Sequence, residues 1–222
     1  MNLAHVRLVL FDLDGTLIDS APDLAGAAND MLDARGLPVL PLSRLSLMCG
    51  SGARGMLGVA FQVHPSDVAY EALKTEFLDR YEARMLRSTD VYPEVPLMLA
   101  GLLKAGLPWG VVTNKAERFA LPLTDALGLR AKAVAVVGGD TTPHTKPHPA
   151  PLFEATRRAG VDPLQCLYVG DDERDVIAGR AAGMATAAAA WGYLGQDKPV
   201  SDWGAGVVLA SPLAVLSVLG IG

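Results

Sequence analysis

Apolar, valine-rich runs alternate with stretches of helical periodicity along most of the chain, and this alternation restricts the possible folds more than any other feature. Six runs are apolar nearly throughout, as strands buried on both faces are: Val6–Phe11, Trp109–Thr113, Ala133–Val137, Cys166–Val169, Thr186–Ala190 and Val207–Leu209. Helical stretches separate most of them: Glu94–Ala105, Glu117–Leu127, Ala150–Ala159 and Asp172–Ala182. The pattern predicts an α/β fold with a parallel sheet and helices on both faces.

The alternation is interrupted after the first strand by about 70 residues without a convincing strand. Three helical patterns fill this interval, at Asp23–Ala34, about Ser43–Phe61 and Ser66–Leu86. The last has apolar and aromatic residues at helical spacing, which favours packing in a helical bundle over a cofactor or partner face: Tyr70, Leu73, Phe77, Leu78, Tyr81 and Met85. We therefore expect a helical insert over residues 19–90 and an α/β core formed by residues 1–18 and 91–222.

Composition excludes several classes of protein. The chain has 222 residues, of which 50% are hydrophobic and 19% charged, so a largely disordered chain is excluded. The net charge is −5 and no run of four basic residues occurs. We therefore expect neither a nucleic-acid partner nor a membrane-surface partner.

Two features bear on where the protein works. The first five residues show no secretory signal, and the uncharged segment from Trp203 to Gly222 is interrupted by Ser211-Pro212 and by several glycines. A strand, a turn and a short helix at Leu213–Leu219 explain that segment better than a membrane span. Cys49 and Cys166 both lie in apolar runs and are interpreted as buried, reduced thiols. Together these features favour a cytoplasmic protein.

The first strand ends in Asp12-Leu13-Asp14-Gly15-Thr16. Ligands of open α/β sheets bind beyond the carboxyl ends of the strands. Two carboxylates one residue apart at such a place repel each other, and a bound Mg²⁺ would relieve that repulsion. The pair therefore indicates a metal-dependent site.

Three later segments place further polar groups near strand ends. Thr113-Asn114-Lys115 follows the second strand and offers a hydroxyl and backbone N–H groups to an anion, although a helix cap would use the same residues. Lys146 lies in a loop stiffened by prolines, where its ammonium is more fixed than on an open surface. Four acidic residues fall between Asp171 and Asp175 at another strand end, which indicates metal binding.

The segment Gly50–Gly55 fits the dinucleotide-binding pattern G-x-G-x-x-G, but it lies in the helical insert without a preceding strand. We therefore reject cofactor binding there. Arg54 within it is a candidate to meet a substrate carboxylate, with an ordinary surface arginine as the alternative.

Taken in order, Asp12-x-Asp14-Gly15-Thr16, Thr113, Lys146 and Gly170-Asp171-x-x-x-Asp175 resemble the four motifs of the haloacid dehalogenase superfamily of phosphohydrolases. The resemblance covers essentially the whole chain. It implies a Rossmann-like core and an inserted all-helical cap domain.

The resemblance also implies roles for single residues. Asp12 would be the nucleophile that forms an aspartyl-phosphate, and Asp14 would protonate the leaving group and then activate water. Mg²⁺ would be held by Asp12, the backbone carbonyl of Asp14, and Asp171, while Asp175 acts through a water or orients Lys146; Asp172 is the alternative for completing the metal shell. The transferring phosphoryl group would be stabilised by Thr113, Asn114 and Lys146.

Among the members of this superfamily, the chain is similar to bacterial phosphoglycolate phosphatases, and four stretches are similar to N-acetylmuramic acid 6-phosphate phosphatases. The resemblance implies a Mg²⁺-dependent phosphomonoesterase, a monomer or homodimer, that acts on a small acidic phosphorylated metabolite, foremost 2-phosphoglycolate. N-acetylmuramic acid 6-phosphate or another sugar phosphate is the alternative substrate. A phosphomutase and a non-catalytic module phosphorylated on Asp12 remain as alternatives of other classes.

Overall fold

The computed structural model describes residues 3–195 and 198–222 and contains the predicted α/β core. Six parallel strands form one sheet in the order β5-β4-β1-β6-β7-β8. Their bounds are β1 Leu8–Phe11, β4 Trp109–Val112, β5 Val136–Val137, β6 Cys166–Gly170, β7 Ala185–Ala189 and β8 Val207–Leu209. Each strand lies within one or two residues of a predicted apolar run, except that β5 is shorter. The predicted fold class is confirmed.

Helices cover both faces of the sheet because alternate residues of each strand point to opposite sides. Val9 and Phe11 of β1 pack in one apolar cluster, while Leu8 and Leu10 pack in another. The helices of the core, which fill these clusters, are α5 Val95–Lys104, α6 Glu117–Ala126, α7 Ala150–Ala159, α8 Glu173–Ala181 and α9 Ala214–Val218. Gly160, with φ +67°, ends α7 in the left-handed conformation that a residue without a β-carbon adopts at little cost.

A helical insert follows β1, as predicted from the missing strands. Its helices are α1 Ala21–Asp33, α2 Leu42–Leu45, α3 Gly52–Phe61 and α4 Tyr70–Glu82, and a 3₁₀ helix at Ser46–Ser51 joins α2 to α3. The continuous helix expected at about Ser43–Phe61 is wrong, because Gly52 takes φ +55° and interrupts it. The glycines of Gly50–Gly55 follow α2 and lie at the end of the 3₁₀ helix and the start of α3, not after a strand. The strand that a dinucleotide-binding loop needs before its glycines is therefore not next to them.

A two-stranded antiparallel ribbon joins the two ends of the insert. It consists of β2, Ile18–Asp19, and β3, Asp90–Val91. The sequence predicted no strand between residues 19 and 90, and two residues per strand are too few to give an alternating pattern. The assignment of residues 19–90 as a separate cap domain stays a prediction.

Two smaller expectations concern the cysteines and the C-terminal segment. Cys49 and Cys166 are buried and form no disulfide, as predicted. No helix among the described residues combines the length and apolar character needed to cross a bilayer.

Candidate active site

The carboxyl ends of three central strands bring most of the predicted site residues to one cavity of about 310 Å³. Strand β1 lies between β4 and β6, so the residues that follow these strands meet at the same edge of the sheet. The cavity is lined by eight residues that the sequence singled out: Asp12, Asp14, Thr113, Asn114, Lys146, Asp171, Asp172 and Asp175. The motifs are therefore close together in space although they are far apart in the chain.

Lys146 is the buried cation at the base of the cavity. Its ammonium is 2.8 Å from Oδ1 of Asp12 and 2.7 Å from Oδ1 of Asp175. It also donates hydrogen bonds to the carbonyl of Val112 at 3.0 Å and to the hydroxyl of Tyr168 at 2.8 Å. Only 2% of the side chain is exposed, so these acceptors replace the water that a surface lysine would have.

Asn114 fixes the backbone of the loop that carries Lys146. Its Oδ1 accepts a hydrogen bond from the N–H of Lys146 at 2.9 Å, and its Nδ2 donates to the carbonyl of Lys146 at 3.0 Å. The side-chain amide is thus occupied within the protein. Direct binding of phosphate by Asn114 stays a prediction, and the geometry supports a role in positioning Lys146.

Thr113 is 2% exposed and follows β4 directly. Its Oγ1 accepts a hydrogen bond from the backbone N–H of Lys115 at 3.2 Å, which orients the hydroxyl at the carboxyl end of β4. The predicted alternative, a simple helix cap, does not describe this contact, because the residue that caps α6 is Ala116.

Asp12, Asp171 and Asp175 form a compact group of carboxylates, each offering an oxygen within 4.8 Å of the others. Burial raises the pKa of Asp12 from 3.8 to about 7, with Lys146 opposing the rise and Asp175 adding to it. Burial also raises the pKa of Asp171, and Asp12 and Asp175 add to that effect. Oxygen-only donors that repel one another in this way suit a hard divalent cation such as Mg²⁺.

Asp171 is held by contacts on both carboxylate oxygens. The hydroxyl of Thr16 donates to Oδ1 at 2.9 Å, and the backbone N–H of Tyr193 donates to Oδ2 at 2.8 Å. Two glycines make this approach possible. A β-carbon on Gly15 or on Gly192 would lie 2.6 Å from Cγ of Asp171, so neither position has room for a side chain.

Asp175 and Asp172 form a capping box at the start of α8. The side chain of Asp172 accepts from the N–H of Arg174 at 2.9 Å, and Asp172 donates its own N–H to Oδ2 of Asp175 at 3.2 Å. Since Oδ1 of Asp175 contacts Lys146, both its oxygens have protein partners. This supports the predicted alternative in which Asp175 orients Lys146. Asp172 also pairs with Arg174 at 2.7 Å.

Asp14 lies at the side of the cavity with its carboxylate held at one oxygen. The hydroxyl of Ser20 donates to Oδ1, and the ammonium of Lys115 is 3.2 Å from the same atom. Its side chain is 14% exposed, so it remains open to the cavity. The sequence analysis included Lys115 in the segment after the second strand but predicted no role for its side chain, and it did not predict Ser20 as a site residue.

Arg54 is the predicted site residue that the structure does not bring to the cavity. It is exposed on α3, and the residues that line the cavity in this region are Gly50, Ser51, Gly52 and Ala53. The start of α3 and the segment before it therefore reach the site, but the side chain of Arg54 is exposed outside it.

Other basic residues, not predicted as site residues, line the cavity instead: Lys74, Lys115, Arg118 and Arg174. Lys74 pairs with Glu71 at 3.3 Å and Arg174 with Asp172. Arg118 packs over the ring of Phe119 at 4.4 Å and has no ion-pair partner among the described residues. Its position three residues after Lys115, at the start of α6, was the only signal in the sequence.

The apolar wall of the cavity comes mainly from the aromatic stripe of α4. Tyr70, Phe77 and Tyr81 are buried, as the prediction of core packing requires. Phe77 and Tyr81, with Phe119 of α6, nevertheless also face the cavity. The sequence favoured core packing over a cofactor or partner face, and in the structure part of the stripe packs in the core and also faces the cavity.

Comparison with known proteins agrees with this arrangement. A family model described as haloacid dehalogenase-like hydrolase matches residues 9–189. A phosphoglycolate phosphatase of Xanthomonas campestris is 50% identical over 207 residues, covering 93% of each chain. An N-acetylmuramic acid 6-phosphate phosphatase of Pseudomonas aeruginosa is 40% identical over 219 residues, covering 99% of this chain and 97% of the relative.

A similar fold is known from crystallography. The crystal structure of a predicted phosphoglycolate phosphatase from Haemophilus somnus superposes with a TM-score of 0.85 and 28% sequence identity. The match covers 98% of this chain and 99% of that one.

Proposed function

The chain belongs to the haloacid dehalogenase-like hydrolases and is a phosphatase, and we propose that it is a Mg²⁺-dependent phosphomonoesterase that acts through an aspartyl-phosphate on Asp12. The observation that carries this proposal is the contact between Asp12 and the buried ammonium of Lys146, 2.8 Å apart at the base of the cavity. A nucleophilic carboxylate beside a fixed cation can meet a phosphoryl group whose charge that cation stabilises.

Two steps complete the reaction. A carboxylate oxygen of Asp12 forms a bond to phosphorus while the ester P–O bond breaks, and Asp14 gives its proton to the leaving oxygen. Water then attacks phosphorus, its proton passes to Asp14, and the bond between phosphorus and Asp12 breaks to release phosphate. Asp14 is suited to both roles because its carboxylate lies on the same cavity and is held at one oxygen only.

Positive charge and hydrogen-bond donors in the cavity would stabilise the transferring phosphoryl group. We assign this role to Thr113 and Lys146, with Asn114 keeping Lys146 in place through its backbone. Mg²⁺ would be held by Asp12, the backbone carbonyl of Asp14 and Asp171. When bound, it would offset the repulsion between these carboxylates and neutralise charge on the phosphoryl oxygens.

For the substrate we propose a small acidic phosphate monoester, foremost 2-phosphoglycolate. The relative with 50% identity carries that activity in its name. Arg118 supports an acidic substrate in general, because it lines the cavity without an ion-pair partner among the described residues and could bind a carboxylate.

N-acetylmuramic acid 6-phosphate is the second candidate. It also combines a carboxylate with a phosphate, and a relative with that activity is 40% identical over nearly the full chain. The cavity of about 310 Å³ with aromatic walls from Phe77 and Phe119 gives this candidate specific support. A volume of this size belongs to sites that hold ligands much larger than a two-carbon acid.

A steady-state assay with Mg²⁺ distinguishes these possibilities. Both candidate substrates and a series of other sugar phosphates are compared by kcat/KM, with Asp12→Asn as the matched inactive variant. An advantage of about tenfold or more for one substrate, equal to about 1.4 kcal/mol, identifies it as preferred. If folded Asp12→Asn keeps more than a few per cent of the wild-type rate, Asp12 is not the nucleophile.

The same assay addresses the other classes of function. A phosphomutase would protect its aspartyl-phosphate from water and need a sugar bisphosphate, so turnover of a simple ester counts against it. A non-catalytic module would hold the phosphoryl group for a long time. Steady release of phosphate from 2-phosphoglycolate would exclude that reading.

A further inference from the structure

Lys115 is a buried lysine of the core whose ammonium has one partner in the core and one in the helical insert. It lies 3.2 Å from Oδ1 of Asp14 and donates a hydrogen bond of 2.8 Å to the hydroxyl of Tyr81 on α4. The ammonium also lies 4.5 Å from the centre of the Tyr81 ring. Only 7% of the side chain is exposed.

The contacts leave Lys115 little freedom to move. Burial alone would lower the pKa of Lys115, but Asp14 and Tyr81 outweigh that effect and raise it above its ordinary value. The ammonium is therefore charged and tied to these two partners. Charge-assisted hydrogen bonds in a buried place are among the stronger polar contacts in proteins.

The position of this ammonium decides which oxygen of Asp14 faces the reaction. Ser20 and Lys115 both contact Oδ1, so among residues 3–195 and 198–222 Oδ2 keeps no hydrogen-bond partner. An acid and base that must exchange a proton with a leaving group and then with water needs one oxygen free and the carboxylate fixed. The two contacts on Oδ1 supply that arrangement.

Tyr81 belongs to α4, which packs against α1 and α3 within the insert. Its ring packs edge-to-face on Phe119 of α6 with centroids 5.5 Å apart, so the side chain is held between insert and core. Burial raises the pKa of Tyr81 to about 12, and the phenol stays protonated. Its oxygen is therefore a neutral acceptor that is present when α4 lies over the cavity.

We propose that Lys115 is a positioning residue for Asp14 and that Tyr81, on the insert, holds the Lys115 ammonium in place. Asp14, the general acid and base, would then be held in position when α4 covers the site. The inference rests on the role proposed above for Asp14. It adds two residues that line the cavity and whose role is exerted through Asp14. It also makes the geometry of proton transfer depend on the packing of α4 on the core.

The test separates proton transfer from phosphoryl transfer. The variants are Lys115→Met, which removes the charge, Lys115→Arg, which keeps it, and Tyr81→Phe, which removes only the hydroxyl. Tyr70→Phe, at another buried tyrosine of α4, and Lys104→Met, at an exposed lysine of α5, are the matched controls. Thermal unfolding of each variant establishes that it is folded.

Pre-steady-state kinetics with p-nitrophenyl phosphate give the decisive measurement. Its leaving group needs no proton, so Asp12 still becomes phosphorylated in Lys115→Met, but hydrolysis of the aspartyl-phosphate still requires Asp14. We expect a burst of nearly one p-nitrophenolate per site, larger than in the wild type, followed by steady turnover reduced about tenfold to a hundredfold. With an alkyl phosphate, kcat falls by a similar factor without a burst.

The other variants give graded results. Tyr81→Phe should reduce kcat about threefold to tenfold with little change in KM, and Lys115→Arg should recover part of the loss, since arginine keeps the charge with a different geometry. Both controls should behave as the wild type. Because these changes are smaller than removal of the lysine, they keep the inference testable if Lys115→Met fails to fold.

Two results would overturn the inference. One is wild-type turnover and burst amplitude in Lys115→Met and Tyr81→Phe. The other is a loss of turnover with p-nitrophenyl phosphate and no change in burst amplitude, which would mean a role in phosphoryl transfer or folding. Asp14→Asn distinguishes the role of Asp14 from the role of Lys115 and Tyr81. If Asp14→Asn stays active, the role proposed for Asp14 is wrong. If Asp14→Asn is inactive while the Lys115 and Tyr81 variants behave as the wild type, only the inference about Lys115 and Tyr81 is wrong.

Discussion

Gly15 lies against the carboxylate of Asp171, and a β-carbon at position 15 would be 2.6 Å from Cγ of that aspartate. Gly15 also has φ +79°, which places it in the left-handed region. Two independent requirements, conformation and space, therefore meet at one residue of the first motif. The close approach brings the loop after β1 into contact with the loop after β6.

Gly15→Ala should reduce both stability and activity. The left-handed conformation alone costs an alanine about 1–2 kcal/mol, and the clash with Asp171 adds displacement of that carboxylate. Gly36→Ala is the matched control, because Gly36 has φ +65° with no atom near its would-be β-carbon. The control should lose only the conformational part in urea unfolding and keep full turnover. Equal behaviour of the two variants would contradict this account of Gly15.

Removal of divalent cations should abolish turnover. Asp12, Asp171 and Asp175 offer three carboxylates within 4.8 Å, and burial of this group makes their charges costly without a cation. We expect EDTA to stop phosphate release and added Mg²⁺ to restore it, while Ca²⁺ inhibits because it accepts looser, higher coordination. Full turnover in excess chelator would remove the metal from the reaction.

The stability of the metal-free protein should depend on the charge of Asp12. Burial raises its pKa in the folded protein from 3.8 to about 7. Ionisation is therefore easier in the unfolded chain, so the stabilising contribution of protonated Asp12 is present at low pH and is lost as the pH rises through about 7.

Asp12→Asn cannot ionise and should escape this loss. The difference in Tm between Asp12→Asn and the wild type should therefore shift in favour of the variant between about pH 4 and pH 7 in EDTA. Saturating Mg²⁺ should reduce the shift, because the cation favours the charged carboxylate. A Tm difference that is constant with pH would show that the pKa of Asp12 is not raised.

Arg118 and Arg54 can be compared directly as candidates for binding the substrate carboxylate. Both side chains are exposed, but Arg118 lines the cavity and Arg54 does not. Loss of a charge-assisted contact of about 1.5–3 kcal/mol should lower kcat/KM of Arg118→Ala about tenfold to a hundredfold on a carboxylated substrate.

The same variant should hydrolyse p-nitrophenyl phosphate at nearly the wild-type rate, because that ester has no carboxylate. Arg54→Ala is the matched surface variant and should behave as the wild type on both substrates. A selective loss in Arg54→Ala instead would restore the prediction made from sequence and would mean that α3 turns toward the cavity when substrate binds.

The central part of the fold was predictable because its signals are local. Each buried strand is an apolar run, and the residue types at the ends of β1, β4 and β6 identify the site before any contact is known. For the same reason, Asp12, Asp171 and Asp175 could be expected to meet.

The rest depends on directions and distances that a one-dimensional pattern does not contain. Whether Arg54 or Arg118 faces the cavity depends on the phase of a helix relative to the core. The contact between Lys115 and Tyr81 joins residues 34 positions apart, one after β4 of the core and the other on α4 of the insert. The break before α3 depends on the single backbone angle of Gly52.

Lys146 keeps its positive charge in the folded protein, because the carboxylates around it favour the charged form. Burial alone would lower its pKa, but Asp12 and Asp175 outweigh that effect and raise it above 10.5. The ammonium that we assign to stabilise the phosphoryl group therefore stays positively charged in the folded chain. Any decline in rate on the alkaline side, short of unfolding, is therefore expected to come from a group other than Lys146, and of the two paired groups it is Asp12, whose pKa burial raises to about 7, that titrates near neutrality.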